Sequence, residues 1–384
     1  MNKAVLSALY LGLLCIAQGA KTLLAQEASS GVDLRATVTG QTVASNELSA
    51  DPRSGSPMIA GFHAILYPTL KFNDNWFVTG AVQLVTRPYY FEQFSIPGSG
   101  ANGNLLQATL NYSHISPKAS ILVRAGQMST AFGAFMLHYD DADNPLVDLP
   151  SGYGYYYSPV SVLGMAGAQI DATGGRWDGR VQFANSSPAS PLGVFARGQY
   201  GNWAGGAGFT IRQGFRLGVS GYRGPYLDRE YPNFLPGQAN PNTLTAQALG
   251  ADANWARGHT SVEIELDKFV LPTTLIPRFR ESTGYGELKQ ALSPRWFVAV
   301  RYGFTTTTAT SRTQTVETGA GFRPDRFQLI KIAYEVKHSS TSTDPDDKTL
   351  AIQFVTTLHK SLAHESRITG ARGTAEAFWS SARQ

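Results

Sequence analysis

The chain has 384 residues, of which 16% are charged, and its 32 basic and 28 acidic residues give a formal net charge of +4. This near balance gives no reason to expect nucleic acid or an anionic surface as a partner. Cys15 is the only cysteine, which argues against a small secreted scaffold held together by disulfides.

The first 25 residues are predicted to be a secretory signal peptide. Lys3 precedes an apolar stretch from Ala4 to Ala17, and small residues follow it. Cleavage after Gly19 or after Ala25 fits this pattern, and we favour Ala25. The alternative is a core helix or a membrane anchor. After residue 26 no run of eighteen apolar residues indicates a membrane helix.

Short segments of alternating polarity dominate the rest of the chain. In the segment from Trp296 to Tyr302, Trp296, Val298 and Val300 share one face while Arg301 lies on the other. We predict sixteen such strands, at 32–44, 57–72, 75–90, 103–114, 119–128, 161–172, 176–187, 202–211, 215–226, 244–256, 259–270, 281–292, 296–308, 312–322, 327–338 and 348–359.

The joints between these segments alternate between short and long. The short ones are rich in Gly, Pro, Asn and Asp, which is turn chemistry. An even number of alternating strands with this rhythm is typical of outer-membrane barrels, whereas a soluble β-sandwich, the alternative, does not require it. We therefore predict an all-β fold, a closed antiparallel transmembrane β-barrel over residues 26–359. Residues 360–384 would form a periplasmic tail.

One joint, residues 129–160, is far longer than the others and has no period of 2 or 3.6. A structureless stretch of this length is usually functional or disordered, and its many aromatic and aliphatic residues disfavour disorder. We predict that it folds into the mouth of the barrel and narrows a pore. Asp141 to Asn144 is similar to the start of a calcium loop, but Pro145 and Leu146 break that motif, so no metal site is expected.

Three segments are similar to bacterial outer-membrane porins, and most closely to those related to phosphate-selective porins: Arg124–Gly133, Arg223–Leu227 and Leu292–Tyr302. The resemblance implies a trimeric sixteen-stranded barrel whose third external loop folds inward, and 129–160 follows the fifth strand. Two features depart from the family. Inward positions here mix acids and bases, where phosphate-selective porins have a basic ladder. The chain also continues for about 25 residues after His359, where such barrels commonly end on an aromatic residue.

The predicted pore constriction combines acids on the loop, arginines on the wall and two tyrosines. Its residues are Asp140, Asp141, Asp143, Asp148, Arg124, Arg87, Arg35, Arg180, Tyr155 and Tyr156. Opposed acids and guanidinium groups would set up a transverse field, which is a general selectivity device. We expect Arg124, which lies just before the loop, to be the main partner of the acids. The tyrosines would either stack on sugars or pack between loop and wall.

No catalytic set is apparent, since the seven histidines are scattered without metal-ligand spacing. We expect no enzyme activity and no cofactor. The predicted function is a porin in the bacterial outer membrane that lets small polar or charged solutes diffuse passively, as a homotrimer surrounded by outer-membrane lipid. The alternatives are a selective channel for phosphate, other anions or sugars, or a barrel that is an enzyme or binds a partner.

Overall fold

The structure, a computed structural model, describes residues 30–50, 56–94, 100–135, 139–153, 164–185, 188, 201–226, 244–272, 278–308, 311–340 and 346–361. The predicted signal peptide, Tyr155, Tyr156 and residues 362–384 of the predicted tail lie outside these ranges. Two short helical segments lie in the joints: α1 at Asn46–Ala50 and a 3₁₀ helix at Phe91–Gln93. Among the described residues, no helix has the length and apolar character needed to cross a membrane.

Sixteen strands form one sheet. They are β1 Gly31–Ser45, β2 Met58–Lys71, β3 Trp76–Arg87, β4 Gly100–Ile115, β5 Ala119–Met128, β6 Met165–Gly174, β7 Trp177–Asn185, β8 Gly201–Arg212, β9 Phe215–Pro225, β10 Thr245–Arg257, β11 Thr260–Leu271, β12 Phe279–Ala291, β13 Trp296–Thr307, β14 Arg312–Phe322, β15 Gln328–Ser339 and β16 Asp346–Ser361.

Each strand pairs antiparallel with its neighbours in sequence, and β1 pairs with β16, so the sheet is a closed barrel. Closure leaves no strand edge with unpaired backbone groups. The predicted fold class and strand number are therefore confirmed. The predicted boundaries differ from the observed ones by at most two residues, except at three places. β3 ends at Arg87, because Pro88 has no N–H to donate to a ladder, β4 begins at Gly100, and β6 begins at Met165. β16 continues to Ser361, two residues beyond the predicted end of the barrel.

Alternation along each strand separates the two faces of the sheet. In β13, Phe297, Ala299 and Arg301 are buried, whereas Trp296 and Tyr302 are exposed. The buried set faces the barrel interior, and the exposed set forms an apolar outer surface. In the antiparallel ladders the same parity passes from strand to strand, because each residue is paired directly with one of the same face.

Apart from the β13–β14 joint, residues 308–311, the short joints lie at one end of the barrel, together with the start of β1 and the end of β16. Exposed aromatic residues gather at that end, in cross-strand pairs on the outer face. The ring centroids of Trp177 and Phe209 are 4.7 Å apart, and those of Trp296 and Phe322 are 4.5 Å apart. We call this the short-turn end. The longer joints lie at the opposite end.

The β5–β6 connection, residues 129–164, packs against the inner wall wherever it is described. Phe132 is fully buried, and its ring lies 5.7 Å from that of Phe269 on β11. Further round the barrel, four and five strands from β11, Val147 packs with Ala333 on β15 and Ala351 on β16. One connection thus contacts walls that are far apart around the sheet.

Candidate pore constriction

Asp140, on the β5–β6 connection, is held by three side chains of β1 and β2. Its Oδ2 accepts hydrogen bonds from Thr37 Oγ1 at 2.8 Å, Tyr67 Oη at 2.8 Å and Arg35 Nη2 at 3.2 Å. The carboxylate is 6% exposed, whereas the Arg35 side chain keeps 34% of its surface accessible. The connection is therefore tied to the β1–β2 wall at this point.

Asp141 is buried beside it and forms a second contact with β2. Its Oδ2 lies 2.7 Å from His63 Nδ1 and accepts a hydrogen bond from Tyr89 Oη at 2.9 Å. Burial would raise the pKa of the Asp141 carboxyl, but the interaction with His63 and the charge of Lys331 outweigh it and lower that pKa. Asp141 stays ionised at neutral pH and serves as a structural contact.

The other two predicted loop acids differ in their environments. Asp143 lies 3.6 Å from Arg35 Nη2 and its side chain retains 31% exposure, so it remains accessible to solvent. Asp148 accepts a hydrogen bond from the backbone N–H of Phe91 at 3.1 Å, which joins the β5–β6 connection to the joint after β3. Of the four acids, Asp140 and Asp141 are buried, whereas Asp143 and Asp148 keep part of their surface exposed.

A buried lysine on β15 holds the backbone of the connection. Lys331 is 1% exposed, and its Nζ donates to the carbonyl oxygens of Asp141, Asn144 and Leu146 at 2.9, 3.0 and 2.7 Å. An ammonium group has three donors, and all three are used here. The turn over 141–146 is therefore closed around this single charge.

Two further buried charges on β13 and β14 complete this contact. Arg301 donates to Asn144 Oδ1 and to the carbonyl oxygen of Asp148, both at 2.8 Å. Glu317 accepts from the backbone N–H groups of Val147 and Asp148 at 2.9 and 3.1 Å. We call Lys331, Arg301 and Glu317 the loop anchor.

The start of the connection and its residues 152–153 contact strands β11 and β12 of the wall. Glu265 Oε1 accepts from Tyr153 Oη at 2.5 Å and from the N–H of Ala134 at 2.8 Å. Gly152 has φ +98°, and a Cβ there would lie 2.8 Å from a methyl carbon of Thr283. A side chain at Gly152 would hold this part of the connection away from the wall.

The partner predicted for Arg124 was wrong. Its Nε and Nη2 donate to Asp171 Oδ2 on β6 at 3.0 and 2.7 Å, while Asp140 and Asp143 of the connection pair with Arg35. The physical reason is proximity. Arg124 is paired directly with Gln169, so Asp171, two residues further on the same face, lies within reach of its side chain.

The remaining predicted wall arginines also have different roles. Arg180 donates to the carbonyl oxygen of Gly133 and so supports the start of the connection. Arg87 is exposed at the last position of β3. A further arginine of the wall, Arg216, forms ion pairs of 2.6 Å with Asp178 and with Asp252.

The alternation of polarity along β13 and β15 is consistent with the buried, inward positions of Arg301 and Lys331, but it does not link them to the connection. His63, Glu317 and Tyr67 were missed as partners. The available signal was a charged or polar residue at an inward position, and it does not identify which distant segment the residue will meet. Among the described residues, no group of three or more His, Cys, Asp or Glu side chains is arranged to hold a metal.

No family model matches the chain, and no curated protein sequence matches it. Solved structures of outer-membrane proteins do. The outer membrane channel DcaP of Acinetobacter baumannii superposes with a TM-score of 0.59 at 10% identity, over 87% of this chain and 99% of that one. The anion-selective porin from Comamonas acidovorans gives 0.58 at 9% identity, over 86% and 100%. In-vitro folded OmpT of Vibrio cholerae, in its trimer form, gives 0.55 at 9% identity, over 86% and 100%.

At these identities the likeness is one of fold. The chain has the closed barrel architecture of bacterial outer-membrane porins. The finer resemblance to phosphate-selective porins stays a prediction.

Proposed function

We propose that the protein is an outer-membrane porin, a water-filled channel through which small polar or charged solutes diffuse passively. The observation that carries this proposal is the position of the β5–β6 connection. Its acidic turn is held against the interior face by the buried loop anchor, while Asp143 and Arg35 keep about a third of their surface accessible. A sixteen-stranded barrel is wide enough to leave an aqueous passage beside such a segment.

The charge pairing supports a preference for cations over phosphate or other anions. Arg216 lies between two carboxylates, those of Asp178 and Asp252. Arg35 likewise lies between Asp140 and Asp143. Each of these two groups carries one acid more than it carries guanidinium, and Arg124 with Asp171 forms a neutral pair. None of these arginines is left as an uncompensated anion site.

Location and assembly are proposed from the same fold. An apolar outward face on every strand suits a hydrocarbon environment, and the solved structures of like fold are outer-membrane proteins. We propose a homotrimer, in line with the trimer form of OmpT. We expect no catalytic activity, and the function of the barrel is transport.

The test is ion selectivity after removal of the two surplus acids. The double variant Asp143→Asn with Asp252→Asn should lower the cation-to-anion permeability ratio by roughly two-fold, because water in the passage screens each charge only partly. The measurement is the reversal potential of single channels in a potassium chloride gradient. The control, Asp346→Asn, removes an exposed acid that faces His338 at the other end of β16. A parent reversal potential retained by the double variant, in folded channels, would contradict the proposal.

A further inference from the structure

The short-turn end of the barrel carries a ring of positive charge. Each of the six consecutive tight joints from β4–β5 to β14–β15 contributes an exposed basic side chain, and together we call them the basic rim: Lys118, Arg176, Arg212, Arg257, Arg295 and Arg326. Lys71 lies at the β2–β3 joint, and Lys360 lies near the end of β16, at the same end of the barrel. The tight joints at this end, all of which lie in the described ranges, contain two acids, Asp74 and Asp325, and a third, Asp33, lies near the start of β1. The near-neutral balance of the whole chain conceals this local excess.

Several residues of the basic rim directly precede aromatic residues of the outer face in the sequence. Arg176 directly precedes Trp177, Arg295 precedes Trp296, and these indole rings are 63% and 49% exposed. The guanidinium carbon of Arg326 lies 4.5 Å from the centroid of the Phe327 ring. Tryptophan and other aromatic rings concentrate at the boundary between hydrocarbon and headgroups. A basic side chain one residue beyond such a ring is therefore at the depth of lipid phosphates.

We propose that the basic rim binds the phosphate groups of anionic phospholipids in the leaflet at the short-turn end. The inference rests on the proposed placement of the barrel in a membrane. The rim side chains lie on six separate joints spread around the circumference, which suits a shell of separate headgroups better than one soluble anion. Clusters of Lys and Arg next to a membrane surface attract anionic lipid, and salt weakens the attraction.

The test uses the tryptophans beside the rim as reporters. The protein is reconstituted in phosphatidylcholine vesicles that contain brominated phosphatidylglycerol or brominated phosphatidylcholine, and the quenching of tryptophan fluorescence gives the relative affinity of the two lipids. We expect phosphatidylglycerol to be preferred several-fold at low salt and the preference to fall at high salt. The variant Arg176→Gln, Arg257→Gln, Arg295→Gln, Arg326→Gln should lose most of it.

A matched control removes four exposed bases from outside the rim, by Lys268→Gln, Arg280→Gln, Arg312→Gln and Lys348→Gln. This control should keep the preference of the parent. Equal quenching by the two lipids in the parent, or an equal loss in both variants, would overturn the proposal. Channel formation in pure phosphatidylcholine bilayers distinguishes lipid binding by the basic rim from the proposed porin function. A protein that conducts but shows no lipid preference contradicts only the lipid binding. A folded protein that does not conduct contradicts the proposed function.

Discussion

Replacing Lys331 by methionine is expected to release the turn over 141–146 from the wall and to raise single-channel conductance. The substitution keeps most of the volume of the side chain but removes its three hydrogen bonds to carbonyl oxygens. A buried acceptor left without a partner costs about 1–3 kcal/mol, so the turn should move to where water can solvate these oxygens. Conductance and open-channel noise in planar bilayers measure the effect.

Lys337→Met is the matched control, since Lys337 lies on the same face of the same strand. Its Nζ is 3.7 Å from carboxylate oxygens of both Glu47 and Asp347, and the side chain is 22% exposed. Exposed ion pairs contribute about 0–1 kcal/mol. We therefore expect nearly the parent's conductance and noise from Lys337→Met. If Lys331→Met behaves like this control, the loop anchor does not hold the connection.

Arg301→Met is expected to cause the largest loss of stability in the barrel. Arg301 is 2% exposed, and it donates to Glu287 Oε2 at 2.5 and 2.9 Å and to Glu317 Oε2 at 3.3 Å. Removing it leaves two buried carboxylates without their cation, a change that typically costs about 3–5 kcal/mol. The temperature at which the folded band disappears in electrophoresis should fall clearly below that of the parent.

A second substitution distinguishes loss of charge balance from loss of packing. In the double variant Arg301→Met with Glu287→Gln, only the Glu317 carboxylate is left buried without its cation, so part of the lost stability should return. If the double variant unfolds at the temperature of Arg301→Met or below it, the Arg301–Glu287 pair does not account for the loss. The net stabilisation by the Arg301–Glu287 ion pair is small compared with that of two well-packed apolar side chains at the same positions, because burial removes the hydration of both charged groups.

The barrel could be predicted from the sequence because the residue patterns that specify it are local. Alternation with period 2 appears within each strand, and turn residues mark each joint, so the sixteen strands emerge without knowledge of any contact. The outward set in β13, Trp296 to Tyr302, was assigned correctly in this way. The main boundary errors, at Arg87, Gly100 and Met165, fall beside long joints, where the alternation of polarity is weak.

The constriction could be predicted only in part from the sequence, because its contacts join residues that are distant in the chain. Asp140 meets Thr37 across 103 residues of chain, and Lys331 meets Leu146 across 185. Length and acid content identified the connection, and charge at inward positions identified candidates on the wall. Nothing in the sequence ranks Arg35 above Arg124 as the partner, since that choice depends on which wall strand the folded connection reaches.

The most direct test of the account is whether position 143 lies in the conducting path. Cys15 is the only cysteine, so Asp143→Cys in a Cys15→Ser background carries a single thiol. A methanethiosulfonate reagent bearing a trimethylammonium or a sulfonate group should then reduce single-channel current. The sulfonate should preserve the preference for cations, and the trimethylammonium should reverse it. Gln213→Cys, in the β8–β9 turn at the short-turn end, should show neither the loss of current nor the change in selectivity. Complete modification of Asp143→Cys, verified by mass, with unchanged current and reversal potential would contradict the account.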